Sequence, residues 1–114
     1  MPSGIATNKT VPFGIGSDHL PGLSKLIEEQ GEVLQKIGKI IGTGTLGEHW
    51  DGKGLLKDRL EDEIADVRAA QAFVAKHNNL NWGKIEKRAS KKFSKFERWH
   101  RNIQEGRDPN DDDS

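Results

Sequence analysis

The chain has no cysteine and no tyrosine among its 114 residues. Without cysteine there is no disulfide, no thiolate metal site and no cysteine nucleophile. Missing tyrosine and a scarcity of β-branched runs argue against a sheet. No apolar run approaches the ~20 residues that span a membrane. The N-terminus lacks an apolar signal-peptide core, so the expected compartment is cytoplasmic. No GxxxxGK[ST] loop and no HExxH helix occurs, which removes the P-loop and zincin chemistries. The four histidines, His19, His49, His77 and His100, have no motif context, so no Ser-His-Asp arrangement can be argued. Excess charge is missing too: 18 Lys/Arg balance 18 Asp/Glu. Hydrophobic residues make up only 32 %, equal to the charged share. That is a thin core for a helical monomer, so burial between subunits is expected.

What is present is helical period. Residues 1–20 are rich in Gly, Ser, Thr and Pro and read as an N-terminal arm. A helix is expected over residues 21–41, with Ser17 or Asp18 capping its first turn. Leu23, Leu26, Ile27, Gln30, Leu34, Ile37 and Ile41 form its apolar stripe. Gly31 and Gly38 fall one heptad apart, which predicts another backbone packed close. The Gly-rich connector GTGTLGEHWDGKG comes next and carries Trp50. A second helix is expected over 55–77, burying Leu56, Leu60, Ile64, Val67, Gln71 and Val74. After a turn at 78–83, a third helix runs over 84–104, its apolar face made of Ile85, Ala89, Phe93, Phe96, Trp99 and Ile103. The acidic segment 106–114 reads as a disordered tail. One all-α domain over 21–105 is the expected organisation.

Acidic pairs organise the first two helices. Glu29 and Glu32 stand at i, i+3 on one, and Glu63 and Asp66 at i, i+3 on the other. Each pair borders an apolar stripe. Glu32 lies roughly 10 residues, or ~15 Å, before the end of its helix, and Glu63 roughly 10 residues after the start of the next. An antiparallel hairpin therefore brings the pairs level. Four converging carboxylates call for cations, and an all-oxygen set selects hard ions such as Mg²⁺ or Mn²⁺. The other reading is ion pairing, Glu32 with Lys36 and Arg59 with Glu63. The chemistry a metal would bring is attack of water on phosphorus, a glutamate outside the metal shell taking the proton.

Glu28-Glu29-x-x-Glu32 followed by Glu63-x-x-Asp66 resembles the EExxE…ExxD signature of the MazG-like, all-α nucleoside triphosphate pyrophosphohydrolases. The flanking segments LSKLIEEQGEVLQKIGKIIG and LKDRLEDEIADV resemble that family's first two core helices. The resemblance covers about residues 20–95. It implies an antiparallel helical bundle working as a homodimer or homotetramer. It further implies conversion of a nucleoside triphosphate to the monophosphate and pyrophosphate. By position, Glu29, Glu32, Glu63 and Asp66 correspond to the Mg²⁺ ligands, with Mn²⁺ able to substitute. Glu32 and Glu63 are also catalytic candidates, and Glu28 is a candidate for water activation. Lys92 and Lys95 match a basic element that faces phosphates, although Ser90 stands where that element often has asparagine. His19, Trp50 and Trp82 are candidates for the base. Dimeric dUTPases and phosphoribosyl-ATP pyrophosphatases share the carboxylate scheme, so the substrate stays open.

A second function is legible in the third helix. Residues 84–101 hold eight Lys/Arg against Glu86 and Glu97, a net charge of +6, whereas residues 1–80 carry −2. A basic helix with interleaved aromatics suits nucleic acid. A non-catalytic helical partner protein is the third reading, and a solvated face is the plain one.

Overall fold

In a computed structural model, residues 19–48 and 51–111 are described, and among them every regular element is a helix: α1 (Leu23–Thr43), α2 (Leu56–His77) and α3 (Trp82–Gln104). The expected all-α class is what the structure has. The Ser17 and Asp18 caps, the body of the arm, Trp50 and the end of the tail lie outside the described residues. The chain divides after Leu80 into two compact units. No helix of the described residues is long and apolar enough to cross a membrane.

Glycines set both ends of α1. Gly22 precedes it at φ 91°, a left-handed conformation open to glycine, and among the described residues no side chain caps the first turn. Gly44 ends it at φ 72°, its N–H donating to the Ile40 carbonyl at 2.7 Å. Two ties close α1 and α2 into a hairpin. At one end, Asn78 Nδ2 donates to the Pro21 carbonyl at 2.9 Å. At the other, the Leu56 and Lys57 N–H groups donate to the Gly47 and Leu46 carbonyls, beside a bridge between Glu48 and Leu55. Gly22 is packed against α2: a Cβ there would meet Phe73 Cδ1 at 2.7 Å and Val74 Cγ2 at 2.9 Å. Asp51 and Arg59 brace the connector with a two-pronged ion pair of 2.8 and 3.1 Å.

Burial differs from the stripes read off the sequence. α2 buries Leu56, Ala70, Val74 and Ala75, whereas Ile64 is exposed. No residue of α1 is buried, and Ile27, Leu34 and Ile41 stand 75 %, 68 % and 76 % exposed. A two-helix contact covers one line on each helix, so the remainder of a broad apolar arc stays in solvent. The close backbone expected at Gly31 and Gly38 is also not there: nothing among the described residues lies within 4 Å of a Cβ built at either.

The second unit is built on α3 and the segment after it. Asn81 caps the helix, Oδ1 accepting from the Lys84 N–H at 2.9 Å. Ile85, Phe93, Phe96 and Ile103 of its apolar face are exposed, and Trp99 is half-buried. Asn102 is fully buried, and its Nδ2 donates to the Pro109 and Asp111 carbonyls at 3.1 and 2.9 Å, drawing the chain back over the helix end.

Candidate metal centre

The hairpin brings three of the four expected ligands together. One carboxylate oxygen each from Glu29, Glu63 and Asp66 lies within 4.8 Å of the others. Glu29 and Glu63 are half-buried and Asp66 is exposed. Glu32 stands apart, 4.0 Å from Lys36 Nζ. Lys36 in turn lies 3.9 Å from Glu63, so an ammonium sits beside the cluster with only 12 % of its side chain exposed. Glu28 is held by Lys25 at 2.5 Å. The expected pair of Arg59 with Glu63 gives way to Arg59 with Asp51, because the loop returns a carboxylate that takes both prongs of the guanidinium.

Crowded negative charge is expensive, and Glu29 bears the cost. Its carboxyl is held above its ordinary pKa, first by loss of hydration, then by Asp66, with Glu28 and Glu63 adding and Lys25 opposing. Lys25 is shifted upward, mainly by its hydrogen bond to Glu28. A divalent cation would relieve the repulsion at Glu29. Mg²⁺ ligands sit at ~2.0–2.1 Å, which places neighbouring oxygens about 3 Å apart. Oxygens spread over as much as 4.8 Å must therefore draw in by side-chain rotation, or leave part of the shell to water. Mg²⁺ characteristically keeps several waters, so the donor set fits a hard cation held by two or three carboxylates.

Beside the cluster lies a cleft of about 370 Å³ lined by Lys25, Glu29, Asp66, Ala69, Ala70 and Phe73. Its lining combines acid and cation with an aromatic ring and two small residues. Phe73 stacks on His77, ring centroids 4.2 Å apart. Ala69 and Ala70 come three and four residues after Asp66, on the same side of α2. That spacing is the sequence signal for a cleft wall, and the acidic pairs alone do not give it. Lys36 as a cross-helix partner is likewise absent from the sequence pattern, since only its link to Glu32 shows in the spacing.

The other candidates lie on other elements. Lys92 and Lys95 are exposed on α3, Lys95 Nζ lying 5.2 Å from the centre of the Trp99 ring. Trp82 opens α3 and is 39 % exposed. His19 is exposed ahead of α1. Set against known proteins, the chain matches no family model, no curated protein and no solved structure.

Proposed function

We propose that this chain is a metal-dependent nucleoside triphosphate pyrophosphohydrolase of MazG-like type. The observation that carries the reading is the convergence of Glu29, Glu63 and Asp66 beside a cleft with an aromatic wall. The carboxylates supply ligands for Mg²⁺ or Mn²⁺, and Phe73 offers a flat apolar surface to a base. A bound cation would supply polarisation of the phosphate and acidification of water. The chain's own part is to hold that ion, orient the triphosphate and take up a proton. Glu28 and Glu32, the glutamates outside the three-carboxylate cluster, are the proton acceptors in this scheme. Water oxygen bonds to the α-phosphorus, the bond to the bridging oxygen breaks, and pyrophosphate leaves. His19 and Trp50 are further proposed base contacts.

The proposed active unit is a homodimer or homotetramer working in the cytoplasm. Support comes from the exposed stripe of Ile27, Leu34 and Ile41 and from an apolar groove of about 340 Å³ that includes Val33, Leu34, Ile64 and Val67. The deciding experiment is pyrophosphate release from ribo- and deoxynucleoside triphosphates with Mg²⁺, Mn²⁺ or EDTA, for wild type and Glu63→Gln. Metal-dependent release that disappears in the variant supports the proposal. No release from any triphosphate by folded protein counts against it.

A further inference from the structure

Neither the carboxylate cluster nor its cleft accounts for the charge on α3. Lys84, Lys87, Arg88, Lys91 and Lys95 stand at i, i+3, i+4, i+7 and i+11, one continuous ridge about 16 Å long. All five are exposed. Among the described residues, none of Lys84, Lys87, Arg88 and Lys91 makes an ion pair. The helix's two acids, Glu86 and Glu97, stand off this ridge. A one-signed ladder of unpaired cations repels itself, and an extended polyanion is the complementary partner.

We propose that α3 binds the sugar–phosphate backbone of a nucleic acid through this ridge, independently of base sequence. An anionic membrane is the competing surface, and the placement of charge disfavours it. An interfacial helix sinks its apolar arc into the membrane with cations along the boundary. Arg88 and Lys95 border the arc beside Trp99, but Lys87 lies about 180° around the helix from Phe96, directed away from any surface the aromatics would enter. Glu86, one heptad before Phe93, borders the apolar arc instead, where an anionic headgroup would repel it. The ridge also lacks the asparagine and glutamine that pair with adenine edges; its four lysines and Arg88 suit phosphates, so affinity should come mainly from counterion release.

The test is fluorescence anisotropy of the full chain with a labelled duplex of about 20 base pairs and with a single strand of the same length. With five cations engaged, log K falls against log salt with a slope of about −4 to −5, a loss of about 10²–10³ between 50 and 200 mM salt. The triple variant Lys84→Gln/Lys87→Gln/Lys91→Gln should flatten that slope by about 3, with Lys57→Gln in the other unit changing nothing. Far-UV circular dichroism confirms the fold, and Lys91→Glu serves if the triple variant is unstable. No binding of either nucleic acid at low salt, or equal binding by the ridge variants, overturns the proposal. So does capture by phosphatidylserine vesicles with a blue shift of tryptophan emission and no duplex binding.

Discussion

Lys36 of α1 lies 3.9 Å from Glu63 of α2 and 4.0 Å from Glu32 of its own helix, an ammonium placed between two carboxylates of different helices. With Lys25 beside Glu29, it is one of two lysines at a cluster that otherwise gathers negative charge. A divalent ion and Lys36 would therefore compete for Glu63. Lys36→Met should raise Mn²⁺ affinity roughly tenfold, read by calorimetric titration, and should lower metal-free stability by about 1 kcal/mol because Glu63 loses its partner. Unchanged or weaker Mn²⁺ binding would show that Lys36 only ties the helices together.

Glu29 gives the cluster a pH signature. Its folded-state pKa is raised, so the folded chain holds this proton more tightly than the unfolded chain. Stability then falls as pH rises from the unfolded value through the raised one, and the deficit persists above it. In EDTA, Glu29→Gln should remove this part of the pH dependence. It should gain less than about 1 kcal/mol at neutral pH, since solvent screens a half-exposed carboxylate. Thermal melts across pH 4–8 (a range of about four units around carboxylate titration) check this. Added Mg²⁺ should stabilise wild type and have less effect on the variant.

Gly22 is a tightly constrained backbone position of the hairpin. Gly22→Ala must hold φ 91° with a side chain and place a methyl 2.7 Å from the Phe73 ring. Left-handed strain and overpacking together should cost about 2–4 kcal/mol, measured by urea denaturation followed by circular dichroism. A loss under about 1 kcal/mol would mean that Phe73 moves aside, and the Phe73–His77 stack should then be lost.

The exposed arc of α1 tests the oligomer. Leu34→Gln changes a side chain that is 68 % exposed and leaves the helix period intact. If a second copy covers this face, light scattering should show a shift toward monomer, and apparent stability should become less dependent on protein concentration than in wild type. A monomeric wild type would remove the oligomer from the proposal.

The helices were legible because their period is strong; their ends were less so. The first helix was expected to stop at 41 and runs to Thr43 ahead of Gly44, and the third was expected from 84 and opens at Trp82 behind the Asn81 cap. The start of α2 was expected at 55 and falls at Leu56, although no side chain caps it and it is held by the Leu56 and Lys57 N–H groups donating to the Gly47 and Leu46 carbonyls. Within the site, antiparallel register brought Glu29, Glu63 and Asp66 together as spacing implied. Spacing did not reveal that Lys36 would separate Glu32 from them, because that depends on how the helices are rotated about their axes. Arg59 is similar: four residues from Glu63, it is claimed by Asp51 through a loop path that helical spacing does not encode. The buried set was the least legible. An apolar stripe tells which way a helix faces, while coverage depends on what packs there, and Ile27 and Ile41 have no cover among the described residues.

The hairpin's ties at Pro21 with Asn78 and at Leu46 and Gly47 with Leu56 and Lys57 make helix length the ruler for the carboxylates. Residues added between Glu48 and Leu55 enlarge a loop and leave the facing heights alone. A single residue inserted between Gly22 and Glu29 swings Glu29 through about 100° and moves it ~1.5 Å along the axis, out of reach of Asp66. Drift in the connector is therefore cheap, whereas an indel in either helix dismantles the acidic centre without altering any of its side chains.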